Sequence, residues 1–281
     1  MADTVVRWVL FTDLDGTLLD HGTYRWWAAW GTLELTRRRR VPLVIVTSKT
    51  RAEVLPILRS LRRREPFVVE NGGAIYVPTG YFPFSLPGAT QTRAGWLCNP
   101  LGTSRGRLLS ALRRAAARTG ARVRSFADMT VEEVAERTAL RLTEARQARE
   151  REFDEPFVIL ENAARAWPRL RGEILRRGLN ATRGSRFFHI LGNNDKGVAV
   201  WKLTTWLRRA HGREVCTIGL GDSPNDIPLL QAVDLAVIVA RPGGRYDRET
   251  LAAVPRAQRA GGVGPEGWNR AVLRLLGSSS P

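Results

Sequence analysis

The sequence predicts an α/β protein, with a parallel sheet flanked by helices and an α+β unit inserted into it. Three observations carry this reading. Short apolar runs alternate with segments of helical periodicity at both ends of the chain, the alternation that builds strand–helix–strand units. Several of these runs end directly in acidic or hydroxyl-rich loops, and open α/β sheets bind ligands beyond the carboxyl ends of their strands. Between residues 83 and 191 the pattern changes to Arg/Ala/Leu helices mixed with short strand signals.

The first apolar run, residues 5–10 interrupted by Arg7, reads as a buried strand and leads into Asp13-Leu14-Asp15-Gly16-Thr17. Residues i and i+2 of an extended chain point the same way, so Asp13 and Asp15 can converge on one reacting group and one cation. Gly16 lets the chain turn sharply after them. Paired carboxylates of this kind suit magnesium, which takes hard oxygen ligands and is commonly held together with a phosphate. A second run, residues 41–46, ends in Thr47-Ser48-Lys49-Thr50. Thr50 and Glu53 have capping-box spacing, which starts a helix through Leu61. Hydroxyls and free amides at a helix start suit a phosphate. Residues 67–69 form a third strand signal before Asn71-Gly72-Gly73.

Pro78, Gly80, Pro83, Pro87 and Gly88 then punctuate the chain as a crossing into another unit does. Helices are expected over 101–120, 131–151 and 167–177, and a strand over 157–160. Residues 179–182 and 186–191 bracket Gly184 as a hairpin. The predicted division is therefore 1–82 with 192–281 as the core and 83–191 as the insert. The sheet resumes at Gly192-Asn193-Asn194-Asp195-Lys196-Gly197, where Lys196 opens a helix containing Val200, Leu203 and Leu207. Only three of the 44 basic residues are lysines, so a lysine at a glycine-flanked turn suggests a need for a compact point charge. The run 215–218 leads to Gly219-Leu220-Gly221-Asp222-Ser223-Pro224-Asn225-Asp226, followed by helical spacing and a strand over 235–239. Residues 261–265 read as a loop, 268–276 as a last helix and 277–281 as a frayed tail.

At 281 residues, 43% hydrophobic and 25% charged, the composition is that of a soluble globular protein with one good core and a smaller second one. No run approaches the roughly 18 apolar residues of a membrane span. The N-terminal apolar run leads straight into Asp13 without a cleavage pattern, and Cys98 and Cys216 stand alone, so the cytoplasm is the expected compartment. A net charge of +17 raises a basic nucleic-acid-binding protein as an alternative. The runs Arg37-Arg38-Arg39-Arg40 and Arg62-Arg63-Arg64 each fall near the end of an amphipathic helix, where positive charge favours the macrodipole. With no zinc-finger spacing or aromatic RNA-binding motif beside them, they read as solvated faces. No membrane and no specific nucleic-acid partner is expected.

Asp13-Leu14-Asp15-Gly16-Thr17, Thr47-Ser48, Lys196 and Gly221-Asp222-Ser223-Pro224-Asn225-Asp226, in that order, resemble the four motifs of the haloacid dehalogenase superfamily of phosphatases. Val46-Thr47-Ser48-Lys49-Thr50-Arg51, Glu70-Asn71-Gly72-Gly73-Ala74-Ile75, Glu155-Pro156-Phe157 and the segment around Lys196 are similar, more narrowly, to the mannosyl-3-phosphoglycerate phosphatase family within it. The resemblance implies a Rossmann-like core, a cap formed by the insert, and Mg2+-dependent hydrolysis of an anionic phosphorylated sugar acid through an aspartyl phosphate. It makes Asp13 the nucleophile and Asp15 the acid–base, with Thr47, Ser48 and Lys196 on the phosphate. Asp13, the Asp15 carbonyl and Asp222 become the metal ligands, while Asn225 and Asp226 orient Lys196 or metal-bound water. The local pattern departs from the superfamily's commoner Thr-Gly-Arg, which leaves open whether Thr47 or Ser48 is the main donor. Lys49, Arg149 and Arg151 are the candidates for reading the substrate. A broader sugar-phosphate (sucrose-phosphate-like) phosphatase and a phosphomutase on the same core stand as alternatives.

Overall fold

The computed structural model describes residues 7–92, 94–183, 187–211 and 215–277. In chain order these form β1 (Arg7–Thr12), α1 (Trp30–Arg38), β2 (Leu43–Val46), α2 (Arg51–Ser60), β3 (Phe67–Val69), β4 (Ala74–Pro78), β5 (Thr90–Gln91) and β6 (Trp96–Pro100). There follow α3 (Arg105–Thr119), β7 (Val123–Ser125), α4 (Val131–Thr138), α5 (Leu142–Arg149), β8 (Asp154–Ile159), α6 (Ala163–Leu175), β9 (Asn180–Arg183) and β10 (Phe188–Leu191). The chain ends with α7 (Lys196–His211), β11 (Val215–Gly221), α8 (Ile227–Gln231), β12 (Leu235–Ala240), α9 (Arg248–Ala253), β13 (Gln258–Val263) and α10 (Gly264–Gly277).

Nine strands make one sheet in the order β13-β12-β11-β1-β2-β3-β4-β6-β5. From β13 to β3 every pairing is parallel, and β4, β6 and β5 add an antiparallel edge. The near-continuous apolar runs of the inner strands follow from burial on both faces. Leu10, Leu43 and Ile45 face a core shared with α1, α2 and α10, whereas Val9, Phe11, Val44 and Val46 face one shared with α7 and α8. The expected parallel α/β core is present.

A second, antiparallel sheet runs β7-β8-β10-β9 and packs against α3 and α6 over its own small core. Gly184, in the expected hairpin turn, and Arg186, at the start of its expected second strand, lie outside the described residues, as do the start of the first predicted strand and residues 278–281. Several elements differ from expectation. The antiparallel edge carries the large sheet to Pro100, beyond position 83 where the sequence puts the start of the insert, and the second sheet draws only on residues 123–191. Residues 258–263, whose end reads as a loop, form β13, because an edge strand is held by its backbone ladder to β12 and needs no apolar alternation. Helix α6 starts at Ala163, where the Asn162 side chain accepts a hydrogen bond from the Arg165 N–H at 3.3 Å.

The arginine runs are not uniformly solvated. Arg37 pairs with Glu34 on the surface, but the Arg63 side chain is buried. Arg63 donates to the Leu33 carbonyl at 3.0 Å and to Thr36 Oγ1 at 2.6 Å while pairing with Glu65 at 2.8 Å. It joins the end of α1 to the exit of α2. Among the described residues no helix is long and apolar enough to cross a membrane.

Gly72 adopts φ +87°, and a Cβ there would lie 2.0 Å from the backbone carbonyl oxygen of Asp195. Neither the dihedral nor the rigid backbone opposite admits a side chain. Gly72→Ala is expected to cost about 2–4 kcal/mol of stability, seen as a lower urea midpoint at an unchanged slope. An unshifted midpoint would mean that the β3–β4 turn relaxes freely.

Candidate active site

Strands β11, β1 and β2 lie side by side, and their carboxyl ends deliver Asp222, then Asp13 with Asp15, then Thr47 with Ser48. The Asp13 N–H donates to the Leu220 carbonyl at 2.9 Å, which continues the β1–β11 ladder one residue past the strand. Gly16 turns at φ +81°, which disfavours a side chain, and a Cβ on it would come 3.0 Å from Asp222 Oδ2 and press on that carboxylate. Lys196, buried at the start of α7, places Nζ 2.7 Å from Asp13 Oδ1 and 2.6 Å from Asp226 Oδ1. Asp226 Oδ2 accepts from the N–H groups of Asp222 at 3.0 Å and Ser223 at 3.1 Å, which leaves Asp226 locked between its own loop and the lysine. Asn225 is exposed and contacts the Ser223 hydroxyl rather than Lys196.

Asp13, Asp222 and Asp226 each offer an oxygen within 4.8 Å of the others, and all three are buried. One ammonium does not neutralise three carboxylates. Burial, then Asp226, pushes the Asp13 carboxyl well above its usual range, against the pull of Lys196 and with Asp222 adding to the rise. Burial and Asp226 likewise push Asp222 up to about 6, partly offset by Arg241, whose Nε lies 3.3 Å from Asp222 Oδ2. Burial works against the charge on Lys196, but Asp13 and Asp226 outweigh it and hold the amine protonated. The excess of buried negative charge around Asp13 and Asp222 fits a divalent cation with oxygen ligands.

The Thr47–Lys49 loop has its carbonyls turned away from this cluster. The Asn71 N–H takes the Thr47 carbonyl at 3.0 Å, Arg151 Nη2 the Ser48 carbonyl at 2.9 Å, and the Glu70 N–H the Lys49 carbonyl at 3.0 Å. Thr47 Oγ1 accepts the Lys49 N–H at 3.2 Å, so its own hydrogen remains to donate. Among the described residues the Ser48 N–H and hydroxyl have no protein partner. The Thr50–Glu53 capping box forms as its spacing predicts and starts α2 immediately after the loop. An oxyanion can be held here by hydroxyls and an amide, with Lys196 at Asp13 on the neighbouring strand end.

The sequence profile of the haloacid dehalogenase-like hydrolases matches residues 10–84. A glucosyl-3-phosphoglycerate/mannosyl-3-phosphoglycerate phosphatase of Methanococcoides burtonii is 40% identical over 98% of this chain and 99% of its own. The chain belongs to the haloacid dehalogenase-like hydrolases. A phosphatase of the same description from Persephonella marina is 36% identical over 95% of this chain and 97% of its own. A mannosyl-3-phosphoglycerate phosphatase of Pyrococcus furiosus is 33% identical over 82% and 90%. Among solved structures, a phosphatase of the haloalkanoate superfamily from Bacteroides thetaiotaomicron shares the fold at a TM-score of 0.65. It is 18% identical, with 98% of this chain and 97% of that one covered.

In this hydrolase the remaining sequence candidates are not all gathered at the carboxylates. Arg151 is buried and donates through Nε to the Asp154 carbonyl at 3.1 Å and through Nη2 to Asp154 Oδ2 at 3.0 Å, besides Ser48. Its guanidinium thus serves the joint between the two sheets instead of standing open to a substrate. Arg149 reaches the Phe126 carbonyl at 3.4 Å within the inserted unit. Lys49 does face the cluster, with Nζ 2.9 Å from Asp15 Oδ2. Sequence reasoning missed Arg241 and the role of Glu70, whose carboxylate accepts the N–H groups of Glu152, Phe153 and Asp154 at 2.7–3.1 Å. Glu70 and Asn71 both have positive φ, an unusual backbone for non-glycine residues, and this turn points them at the joint. The Glu70-Asn71-Gly72-Gly73 string was a visible signal, but its partners were not.

Arg151→Met would leave the buried Asp154 carboxylate with His189 and Asn71 but without its guanidinium. The expected loss of stability is about 3–5 kcal/mol, together with weaker inhibition by inorganic phosphate because the Ser48 carbonyl is released. A loss below about 1 kcal/mol with unaltered phosphate inhibition would show the joint to be dispensable.

Proposed function

We propose that this chain is a magnesium-dependent phosphatase that hydrolyses glucosyl- or mannosyl-3-phosphoglycerate to the glycosylglycerate and phosphate. The observation that carries the chemistry is Asp13 at 2.7 Å from Lys196 Nζ, between Asp222 and the Thr47–Ser48 loop on neighbouring strand ends. The substrate reading rests on relatives 33–40% identical across most of the chain.

In this scheme Asp13 attacks phosphorus in line and forms an acyl phosphate. Asp15 protonates the departing oxygen, then takes a proton from the water that hydrolyses the acyl phosphate. Lys196, the Ser48 N–H and the hydroxyls of Thr47 and Ser48 hold the phosphoryl oxygens. Lys196 also holds the attacking carboxylate, with Asp226 fixing the lysine. The carboxylates of Asp13 and Asp222 with the Asp15 carbonyl would hold Mg2+, whose charge offsets repulsion between an anionic nucleophile and a phosphate dianion. The inserted unit acts as the cap, excluding water and meeting the sugar. We place its start after β6, because β5 and β6 belong to the large sheet.

A panel of glucosyl- and mannosyl-3-phosphoglycerate, sucrose 6-phosphate and hexose phosphates, assayed for phosphate release with and without magnesium, tests the assignment. Turnover should favour the phosphoglycerates and require the cation, and Asp13→Asn should lower it by about a thousandfold or more. Turnover by that variant near the wild-type rate would remove Asp13 as nucleophile.

Cation binding should depend on pH with a defined sign. The Asp222 carboxyl is pushed up to about 6, and a cation must displace its proton. Apparent magnesium affinity therefore falls as pH drops through about 6, by about tenfold per pH unit for each displaced proton, with the raised Asp13 carboxyl acting in the same direction. Magnesium titrations of activity between pH 5 and 8 read this directly. A midpoint unchanged across that range would separate Asp222 from the cation site.

A further inference from the structure

Lys49 follows directly on the two phosphate-facing hydroxyl residues and shares their loop. Its Nζ lies 2.9 Å from Asp15 Oδ2 and 3.7 Å from Glu53 Oε1, and 5.1 Å from the centroid of the Tyr24 ring. Glu53 is itself anchored, since its other oxygen accepts the Thr50 N–H at 2.8 Å. An ammonium has three donors; Asp15 lies within hydrogen-bond distance of it, while Glu53 at 3.7 Å acts as an ion pair and occupies none of them. Lys49 is largely buried, whereas the Asp15 side chain is 36% exposed, so the pair opens to solvent on the Asp15 side. Among the described residues Asp15 Oδ1 is buried without a hydrogen-bond partner. Asp15 and Glu53, with some help from Tyr24, outweigh the effect of burial and keep Lys49 charged.

We infer that Lys49 reads the carboxylate of the substrate and so selects phosphorylated sugar acids over phosphorylated sugars. This rests on the function proposed above. In a 3-phosphoglycerate the phosphate oxygen sits on the third carbon and the carboxylate is the first, so the carboxylate carbon is three bonds from the oxygen that Asp15 protonates. A cation touching Asp15 is therefore within reach of that carboxylate. The hexose is attached through the second carbon, between the carboxylate and the phosphate-bearing carbon. Of the other cations proposed for this task, Arg151 is engaged by Asp154 and Ser48, and Arg149 points its Nε at the Phe126 carbonyl within the inserted unit. A hexose phosphate without a carboxylate leaves Lys49 donors unmatched in a mostly buried site, which disfavours it.

The test compares each glycosyl-3-phosphoglycerate with its carboxamide, which retains the sugar, the phosphate and the leaving oxygen. Lys49 also touches Asp15, so absolute rates are uninformative, but the ratio of kcat/KM for acid over amide cancels effects common to both substrates. Wild type should prefer the acid by about 10–100-fold, the range for a charged hydrogen bond. Lys49→Met, or Lys49→Gln if the first fails to fold by circular dichroism, should bring the ratio close to one. Lys49→Arg should retain most of it. A wild-type preference that persists undiminished in folded Lys49→Met or Lys49→Gln overturns the assignment of Lys49 and leaves the proposed function standing. A wild type that turns over hexose phosphates as well as either phosphoglycerate overturns the proposed function, and the assignment of Lys49 with it.

Discussion

Lys196 touches Asp13 at 2.7 Å and Asp226 at 2.6 Å with its side chain closed to solvent, and the arrangement around it follows from that enclosure. A buried ammonium is tolerable only when its donors meet well-placed carboxylates, and each carboxylate is tolerable only because the ammonium is there. Three segments must therefore meet at one point: the end of β1, the loop after β11 and the first turn of α7. Asp226 adds the N–H groups of Asp222 and Ser223 to the arrangement, so the lysine indirectly sets the position of Asp222 as well. The balance remains negative after this pairing. That imbalance raises Asp13 and Asp222 above the usual carboxylate range and prepares the site for a cation and a phosphate together.

The second constraint is the joint between the sheets. Glu70 clasps three successive N–H groups at the entry to β8, and Arg151 links Asp154 to the Ser48 carbonyl. A segment of the inserted unit, at the entry to β8, is thereby bonded to the back of the phosphate-facing loop. Carbonyls held on that side leave hydroxyls and an amide for the other, so a contact that serves architecture also shapes the site. The Asn194 side chain donates to the Asn71 carbonyl at 3.2 Å and ties the approach to Lys196 into the same joint.

Much of this was legible in the chain for a local reason. Asp13 and Asp15, Thr47 and Ser48, and Asp222 each stand at the end of an apolar run, and a parallel sheet aligns such ends along one edge. The capping box at Thr50 and Glu53 involves residues three apart and was readable as spacing. β13 was not, because Gln258-Arg259-Ala260-Gly261-Gly262-Val263 is an edge strand specified by its neighbour's backbone. The arginine runs were read as one class, although Arg63 is buried against Leu33 and Thr36 while Arg37 stays on the surface.

The sequence by itself determined the parallel α/β core, the insertion within it and the residue types at the strand ends, because strand periodicity, turn chemistry and capping are written in near neighbours. Tertiary structure alone decided which charges face one another. Arg151 and Ser48 are 103 positions apart and Lys196 and Asp13 are 183 apart. No periodicity links such pairs; they are selected when packing brings them together, because a buried charge that fails to find its opposite is too costly to keep. The same rule turned Arg151 inward to Asp154 and left Lys49 beside Asp15 at the edge of the open site.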